Sequence, residues 1–235
     1  MPDLRSLGLT EEACPQVDWD SPEGGKTPPK VYPGEYILKF TMPEDKEDWF
    51  NVVERAIVKG GKEKKKFLEI TYIPIAIAMF MQDKSGKVAV EPTPIADQET
   101  GEPIVLGSQR VNTWMSAKMT INRAAELIRS MGVRLDGNWL APSSSNPAIS
   151  VLEETLAQLN GQASFRAEVI WRAYFKSTEL TFSSRPRGKE ELPWPRNAQG
   201  ELELMATNPA TGEKAFAYAE VERVKMPVAE TAASA

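Results

Sequence analysis

The segment at residues 163–176 constrains the fold more than any other part of the chain. Its residues alternate between two faces with the two-residue period of a β-strand. The apolar face comprises Phe165, Ala167, Val169, Trp171, Ala173 and Phe175. The opposite face is mostly polar and comprises Ser164, Arg166, Glu168, Ile170, Arg172, Tyr174 and Lys176. The pattern predicts one long strand with one face toward solvent, and it predicts that Phe165, Trp171 and Phe175 belong to the core.

Residues 110–119 show the same period with an unusual polar face. The mostly apolar face consists of Val111, Thr113, Met115, Ala117 and Met119, and the other of Arg110, Asn112, Trp114, Ser116 and Lys118. A large indole between two cations is uncommon on a solvent-facing strand. Grooves for single-stranded nucleic acid combine cations, which bind phosphates, with aromatic planes, on which bases stack. The segment therefore indicates such a groove, unless Trp114 covers a hydrophobic edge and both cations are merely solvated.

Other segments predict further strands and two helices. Strands are expected at 35–40, at 49–58 as a continuation of the first, at 67–77 and at 214–224. Helices are expected at 121–131 and 148–159, where Gly132 and Gly161 would end them. Gly60-Gly61 and the lysines that follow predict a hairpin with a basic tip.

The composition excludes several classes of chemistry. The chain contains no histidine, so catalytic Ser-His and Cys-His pairs and histidine-ligated metals are excluded. Its single cysteine, Cys14, allows no intramolecular disulfide, as is usual in the cytoplasm. We expect no cofactor, no metal and no catalytic residue. The net charge of −5 argues against a uniformly basic DNA coat but permits a local basic groove.

The chain divides into an arm, a domain and a tail. Residues 1–30 are rich in Pro, Gly and acidic residues and predict a loosely ordered arm. Residues 31–226 are expected to form one domain, with a hairpin-like insertion at about 80–108 and a basic, proline-rich loop at about 183–200. Residues 227–235 are expected to be a disordered tail. The longest apolar run, at 70–81, contains Pro74 and is too short to span a bilayer, and no signal peptide is visible, so a cytoplasmic protein without membrane association is expected.

The order of three strands, a helical segment and two strands is that of the OB-fold, a five-stranded Greek-key barrel that binds oligonucleotides. The predicted fold class is accordingly mainly β with inserted helices. The glycine-led first strand, the Gly/Lys hairpin and the Leu159-Asn160-Gly161 junction before the long aromatic strand resemble the single-stranded DNA-binding proteins of bacteriophages. The resemblance covers about 33–226 and rests on topology and patterning. The acidic tail with apolar last residues, typical of the bacterial proteins, is missing, so the resemblance does not imply that the tail recruits partners.

This resemblance implies a non-enzymatic protein that binds single-stranded DNA with little sequence preference. It would act in phage or mobile-element DNA replication or recombination. Its partners would be replication or recombination proteins, and it could also form a homo-oligomer. The cations would neutralise phosphates, and Trp114 and Tyr174 would stack bases. The expected contact residues are Lys62, Lys64, Lys65, Lys66, Arg110, Asn112, Trp114, Lys118, Arg166, Arg172, Tyr174, Lys176, Arg185 and Arg187.

Other interpretations remain open from the sequence. The lysine run could be a solvated turn, and the polar residues of 163–176 an ordinary wet strand face. The same barrel could serve a viral structural or assembly protein, whose arm and loops bind other subunits, and the acidic net charge favours this alternative. A carboxylate-metal nuclease is the least favoured, because Asp97, Glu99 and Glu102 lie in a Gly-containing turn where acids are usually solvated.

Overall fold

The computed structural model describes residues 30–45, 49–56, 64–82, 88–114, 123–134, 139–188 and 191–225. This part of the chain is mainly β, as predicted. Its strands are β1 (Gly34–Lys39), β2 (Phe50–Ala56), β3 (Lys64–Tyr72), β4 (Ile75–Phe80), β5 (Thr93–Pro94), β6 (Ile104–Val105), β7 (Gln109–Trp114), β8 (Ser164–Phe175), β9 (Leu180–Ser183), β10 (Glu191–Pro193), β11 (Met205–Thr207), β12 (Lys214–Phe216) and β13 (Tyr218–Lys225). Its helices are α1 (Arg123–Ser130) and α2 (Val151–Leu159). The predicted tail, and the predicted arm apart from Lys30, lie outside the described residues.

The first four strands form one long, bent hairpin. β2 pairs antiparallel with β3, and β1 pairs antiparallel with β4. The strand expected at 67–77 is therefore two strands, separated by Ile73 and Pro74. Proline lacks the N–H that a ladder needs, so the ladder is interrupted there. The N–H of Ile73 donates to the carbonyl of Thr41 at 2.7 Å and holds the two arms together at the bend. The predicted hairpin tip lies outside the described residues.

β8 is the central strand of the main sheet. It pairs antiparallel with β1 on one edge and β13 on the other, and its last residues pair with β9. All six residues of its predicted apolar face are at most 2% exposed, which confirms the predicted core face. Ile170, on the opposite face, is buried as well. The indole N–H of Trp171 donates to the carbonyl of Val31 at 2.7 Å, so this buried polar group is satisfied.

The sheets of the described residues are open and do not close into the five-stranded Greek-key barrel expected from the sequence. One sheet has eight strands, a second consists of β2, β3 and β7, and β11 and β12 form a separate hairpin. β7 and β13 face each other without a shared ladder. The amide of Gln109 lies between them, donating to the carbonyl of Ala219 and accepting from the N–H of Val221, each at 3.0 Å. One side chain thus makes the contacts that a paired strand would make, and the two strands stay apart.

The helices lie between β7 and β8 in sequence, as expected. α2 begins at Val151 rather than at 148, because Ser150 and Glu153 form a capping box. The N–H of Glu153 donates to the Ser150 hydroxyl, and the N–H of Ser150 donates to the Glu153 carboxylate. α1 packs Leu127 and Ile128 into the main core. Gly132 follows α1 at a φ of +80°, a conformation that favours glycine at a helix end.

Two segments contain more strand structure than expected, and one predicted strand is interrupted. The segment predicted as a loop at 183–200 contains β10, which pairs parallel with β9, and Trp194, which is 4% exposed. The indole N–H of Trp194 donates to the carbonyl of Glu203 at 2.7 Å. Within the expected insertion, β5 and β6 both pair with the outer edge of β4. The last predicted strand is interrupted at Ala217, between β12 and β13.

Candidate nucleic-acid interface

The sheet of β2, β3 and β7 has one face that contributes to the main core and one that points away from it, although Thr71 on the second face is only 8% exposed. On β3, Leu68, Ile70 and Tyr72 are buried in the main core. Because successive residues of a strand point to opposite faces, the alternate residues of β3 lie on the other face. Residues paired directly across antiparallel strands share a face, so the register assigns the rest. We call this outward surface the sheet face, and its residues are Asn51, Val53, Arg55, Lys65, Phe67, Glu69, Thr71, Arg110, Asn112 and Trp114.

An aromatic row crosses the sheet face. Phe67 of β3 is half-buried and pairs in register with Trp114 of β7 on one side and Val53 of β2 on the other. Directly opposed residues have Cβ atoms about 4.5–5.5 Å apart, so the positions of Phe67 and Trp114 are adjacent. The backbone thus brings two aromatic residues from different parts of the sequence to one row.

Cationic rows lie at both ends of the sheet face. Lys65 pairs in register with Arg55 at one end, and Arg110 pairs with Thr71 at the other. Between Arg110 and the aromatic row lies a polar row in which Glu69 is paired with Asn51 and Asn112. The order of rows is therefore cationic, aromatic, polar and cationic.

Two expected contact residues of β3 lie on its other face. Lys64 pairs in register with Ala56, and Lys66 with Glu54. Lys66 is exposed at the hairpin end. Within the described residues, neither Lys66 nor Arg110 has a carboxylate within ion-pair distance. Lys62 and Lys118 lie outside the described residues, so their expected contacts remain predictions.

The cations predicted on β8 belong to another surface, and carboxylates pair with them. Arg166 forms an ion pair with Glu35, and its guanidinium lies 3.9 Å from the ring centroid of Phe80. Arg185, which follows β9, forms an ion pair with Glu168 of β8. These two guanidinium groups are therefore held by neighbouring side chains, and a phosphate would have to compete with a carboxylate for each.

Arg172 is the centre of a larger network. Its guanidinium lies 3.2 Å from Glu191, 3.3 Å from Glu220 and 3.5 Å from Glu222, and its side chain is only 13% exposed. Arg187 donates to the Glu222 carboxylate at 2.6 Å, and this contact raises the pKa of the guanidinium. Burial raises the pKa of the Glu220 carboxyl, while the charge of Arg172 opposes the rise. The network joins β8, β10 and β13, and it gives Arg172 a structural role.

Tyr174 and Lys176 lie near the far end of β8. Tyr174 is 49% exposed, and Lys176 is exposed in the turn after the strand. β8 pairs with none of the three strands that carry the sheet face. The described contact residues expected from the sequence therefore fall into two groups. One group lies on the sheet face and at the neighbouring lysines, and the other lies on the outer side of the main sheet.

Phe67 and Arg55 were not among the expected contact residues. The alternation of Lys65, Phe67, Glu69 and Thr71 with apolar neighbours was visible in the sequence. What the sequence does not contain is the register that pairs Phe67 with Trp114 and Lys65 with Arg55. A search for aromatic residues at outward positions of every predicted strand would have included Phe67.

In the acidic turn that was considered for metal chemistry, the Asp97 carboxylate already has partners within the protein. Asp97 forms an ion pair with Lys30 and accepts the N–H groups of Glu99 and Thr100, each at 3.0 Å. These contacts lower the pKa of the Asp97 carboxyl to about 2, the hydrogen bond from Lys30 contributing most. In the described part of the chain, no group of three or more Cys, Asp or Glu residues could hold a metal ion.

Comparisons with known proteins give no relative. No family model matches the chain, and no curated protein or solved structure matches it. None of the helices in the described ranges is long and apolar enough to cross a membrane. The geometry of the sheet face is therefore the basis for proposing a function.

Proposed function

We propose that this protein binds single-stranded DNA on the sheet face, with little sequence preference and without catalysis. The observation that carries the proposal is the register of Phe67 with Trp114, in a row next to the row of Lys65 and Arg55 and separated from Arg110 by the polar row of Glu69. Bases stack on aromatic rings regardless of their identity, since every base has a π-face. Cations near that row would bind the phosphates on either side. The arrangement would supply both contacts from one sheet.

The order of strand pairing supports an OB-like fold. β1 with β2 and β3 with β4 act as two long bent strands, followed by β7, β8 and β13. The long strand of β1 and β2 pairs with the long strand of β3 and β4, and it also pairs with β8. The long strand of β3 and β4 pairs with β7 on its other side, and β8 pairs with β13. Both helices lie between β7 and β8. This is the order of the OB-fold, whose barrel is partly open and whose second and third strands bind oligonucleotides. In such a fold the sheet face would occupy that position.

The proposed biological role follows from the resemblance stated above. A protein of this kind would act in the cytoplasm, in DNA replication or recombination of a phage or mobile element. It would coat exposed strands and meet replication or recombination proteins there. The ion-paired arginines of the main sheet would leave most of the surface without excess positive charge, in keeping with a net charge of −5.

A salt titration of oligonucleotide binding tests the proposal. The anisotropy of a labelled oligo-dT should rise on addition of the protein at low salt. The logarithm of the association constant should fall linearly with the logarithm of salt concentration, with a slope of about −0.7 per phosphate neutralised. Oligo-dA should bind with similar affinity, and duplex DNA more weakly. Absence of binding at low salt, or binding insensitive to salt, would contradict the proposal.

One observation favours a second candidate function, assembly with other protein subunits. Val90 is 90% exposed, Val105 57% and Met81 53%, and all three lie beside the short strands at the β4 edge of the main sheet. Exposed apolar residues beside a sheet edge are typical of protein contacts. Replacement of Val90 by Lys would lower the mass measured by light scattering if this edge joins subunits, and leave oligonucleotide binding unchanged.

A further inference from the structure

The seam between β7 and β13 contains a cavity of about 650 Å³, covered on one side by α1. Four arginines line it: Arg187, which pairs with Glu222, and three from different elements, Arg110 of β7, Arg123 of α1 and Arg223 of β13. The latter three are exposed, and none of them has an ion-pair partner within the described residues. Cavities of this size are in the range of small-ligand sites, about 300–1,000 Å³.

The carboxylates of the cavity do not cancel these charges. Glu220 and Glu222 line it, but Arg172 pairs with both, and Arg187 pairs with Glu222 as well. Glu126 of α1 is the remaining carboxylate of the lining. The lining holds four arginines and three glutamates, a net charge of +1, and the three arginines that have no ion-pair partner among the described residues favour an anion. Guanidinium groups are planar forks that match the oxygens of a phosphate, so phosphate is the anion best suited to them.

Arg110 connects this cavity with the sheet face. It stands on the outward side of β7 at the end of the sheet face, and it also lines the seam. We propose that the seam cavity binds a phosphate group of the DNA strand where the strand leaves the sheet face, through Arg110, Arg123 and Arg223. The inference rests on the proposed function, because it takes the strand across the sheet face as given.

A charge-matched pair of double variants tests the inference. Arg123→Gln/Arg223→Gln removes two cations from the cavity and leaves Arg110 on the sheet face intact. The control Arg129→Gln/Lys214→Gln removes two exposed cations that do not line the cavity, one of them from the same helix. The salt dependence of oligo-dT binding is measured for both variants and for the unmodified protein. The slope should become shallower by about 0.7 in the cavity variant, the value for one lost phosphate contact, and stay unchanged in the control.

The outcomes separate this inference from the proposed function. If the unmodified protein binds no oligo-dT, the proposed function fails and the inference fails with it. If the unmodified protein binds and both double variants keep its slope, the inference is overturned while the sheet face remains the binding surface. Melting temperatures in phosphate and in chloride at equal ionic strength provide a third result. Phosphate stabilisation that is lost only in the cavity variant, with an unchanged slope, would assign the cavity to free phosphate and overturn its role in strand binding.

Discussion

The side-chain carbonyl of Gln109 accepts the main-chain N–H of Val221 at 3.0 Å, while its amide N–H donates to the carbonyl of Ala219 at the same distance. Gln109 is the first residue of β7, and it is 8% exposed. Its amide therefore replaces a strand ladder across the seam. It also fixes the position of β7, which carries Arg110, Asn112 and Trp114, relative to the main sheet.

Replacement of Gln109 by Ala should lower both stability and binding. The loss leaves a buried N–H and a buried carbonyl without partners, which costs about 1–3 kcal/mol of the free energy of unfolding. Oligonucleotide affinity should fall as well, because β7 loses its connection to β13. Urea unfolding and anisotropy measure the two effects. Gln158→Ala, at an exposed position of α2, is the control and should change neither. A Gln109 variant of normal stability would show that the position of β7 does not depend on this link to β13.

Replacement of Trp114 by Ala should weaken oligo-dT binding by about 1–3 kcal/mol, the range for one lost base stack. Trp114→Phe retains an aromatic plane and should recover part of the affinity. Thermal melting of both variants separates binding from folding. A stability loss of about 3–5 kcal/mol in Trp114→Ala would place the indole in the interior instead. Normal stability with unchanged binding would remove Trp114 from the interface.

Replacement of Arg110 by Gln should make the salt dependence of oligo-dT binding shallower by about 0.7, because one phosphate contact is lost. Arg185→Gln removes the same charge from an arginine that is already paired with Glu168. Since that guanidinium would have to leave a carboxylate to bind a phosphate, its loss should change the slope less. Equal effects of the two substitutions would show that the ion pair yields to DNA, and that the interface extends over the main sheet.

Replacement of Arg172 by Met should destabilise the fold by about 3–5 kcal/mol, because Glu191, Glu220 and Glu222 lose a mostly buried partner. Burial already raises the pKa of the Glu220 carboxyl, and removal of Arg172 should raise it further. A carboxyl whose pKa is higher in the folded state stabilises the fold below its unfolded pKa and loses this contribution as the pH rises through its folded pKa.

The loss of unfolding free energy in the Arg172→Met variant should therefore be largest at pH 7. It should become smaller as the pH falls and Glu220 takes up a proton. Chemical unfolding at several pH values measures the gap between the variant and the unmodified protein. Lys176→Met, in the exposed turn after β8, is the matched control and should show no such trend. A gap that stays constant with pH would mean that packing, not charge, accounts for the role of Arg172.

Local patterns predicted the parts of the fold that depend on local sequence. The alternation of 163–176 identified β8 and its buried face, and the spacing of apolar residues located both helices to within three residues. Ser150 illustrates the limit, because a capping box decides the first turn of α2 more strongly than the apolar pattern does. The same reasoning predicted that Arg110 and Val111 lie on opposite faces of β7, and the structure agrees.

Contacts between distant segments could not be predicted in this way. From the sequence, the arginines of β8 are expected to bind phosphates or to be solvated, because their carboxylate partners lie far along the chain. Glu220 and Glu222 follow Arg172 only after the β9–β12 region. Trp194 stands between two prolines, a context typical of a loop, and only the tertiary structure buries it. Likewise, the pairing of Phe67 with Trp114 depends on strand register, which the alternation of either strand leaves undetermined.

The position of β1 between β4 and β8 has a consequence for synthesis on the ribosome. β1 can pair with β4 as soon as the bent hairpin has emerged from the ribosome. The other edge of β1 stays unpaired until β8 has been synthesised. Arg166, the ion-pair partner of Glu35, is 131 residues further along the chain. Roughly 90 residues separate Phe80 from Arg166, and at 5–20 residues per second their translation takes roughly 5–20 s. During that interval a strand of the future core presents an unpaired edge, which can pair with a second nascent chain. Polysomes, on which many nascent chains of this protein lie close together, are therefore where its aggregation should begin.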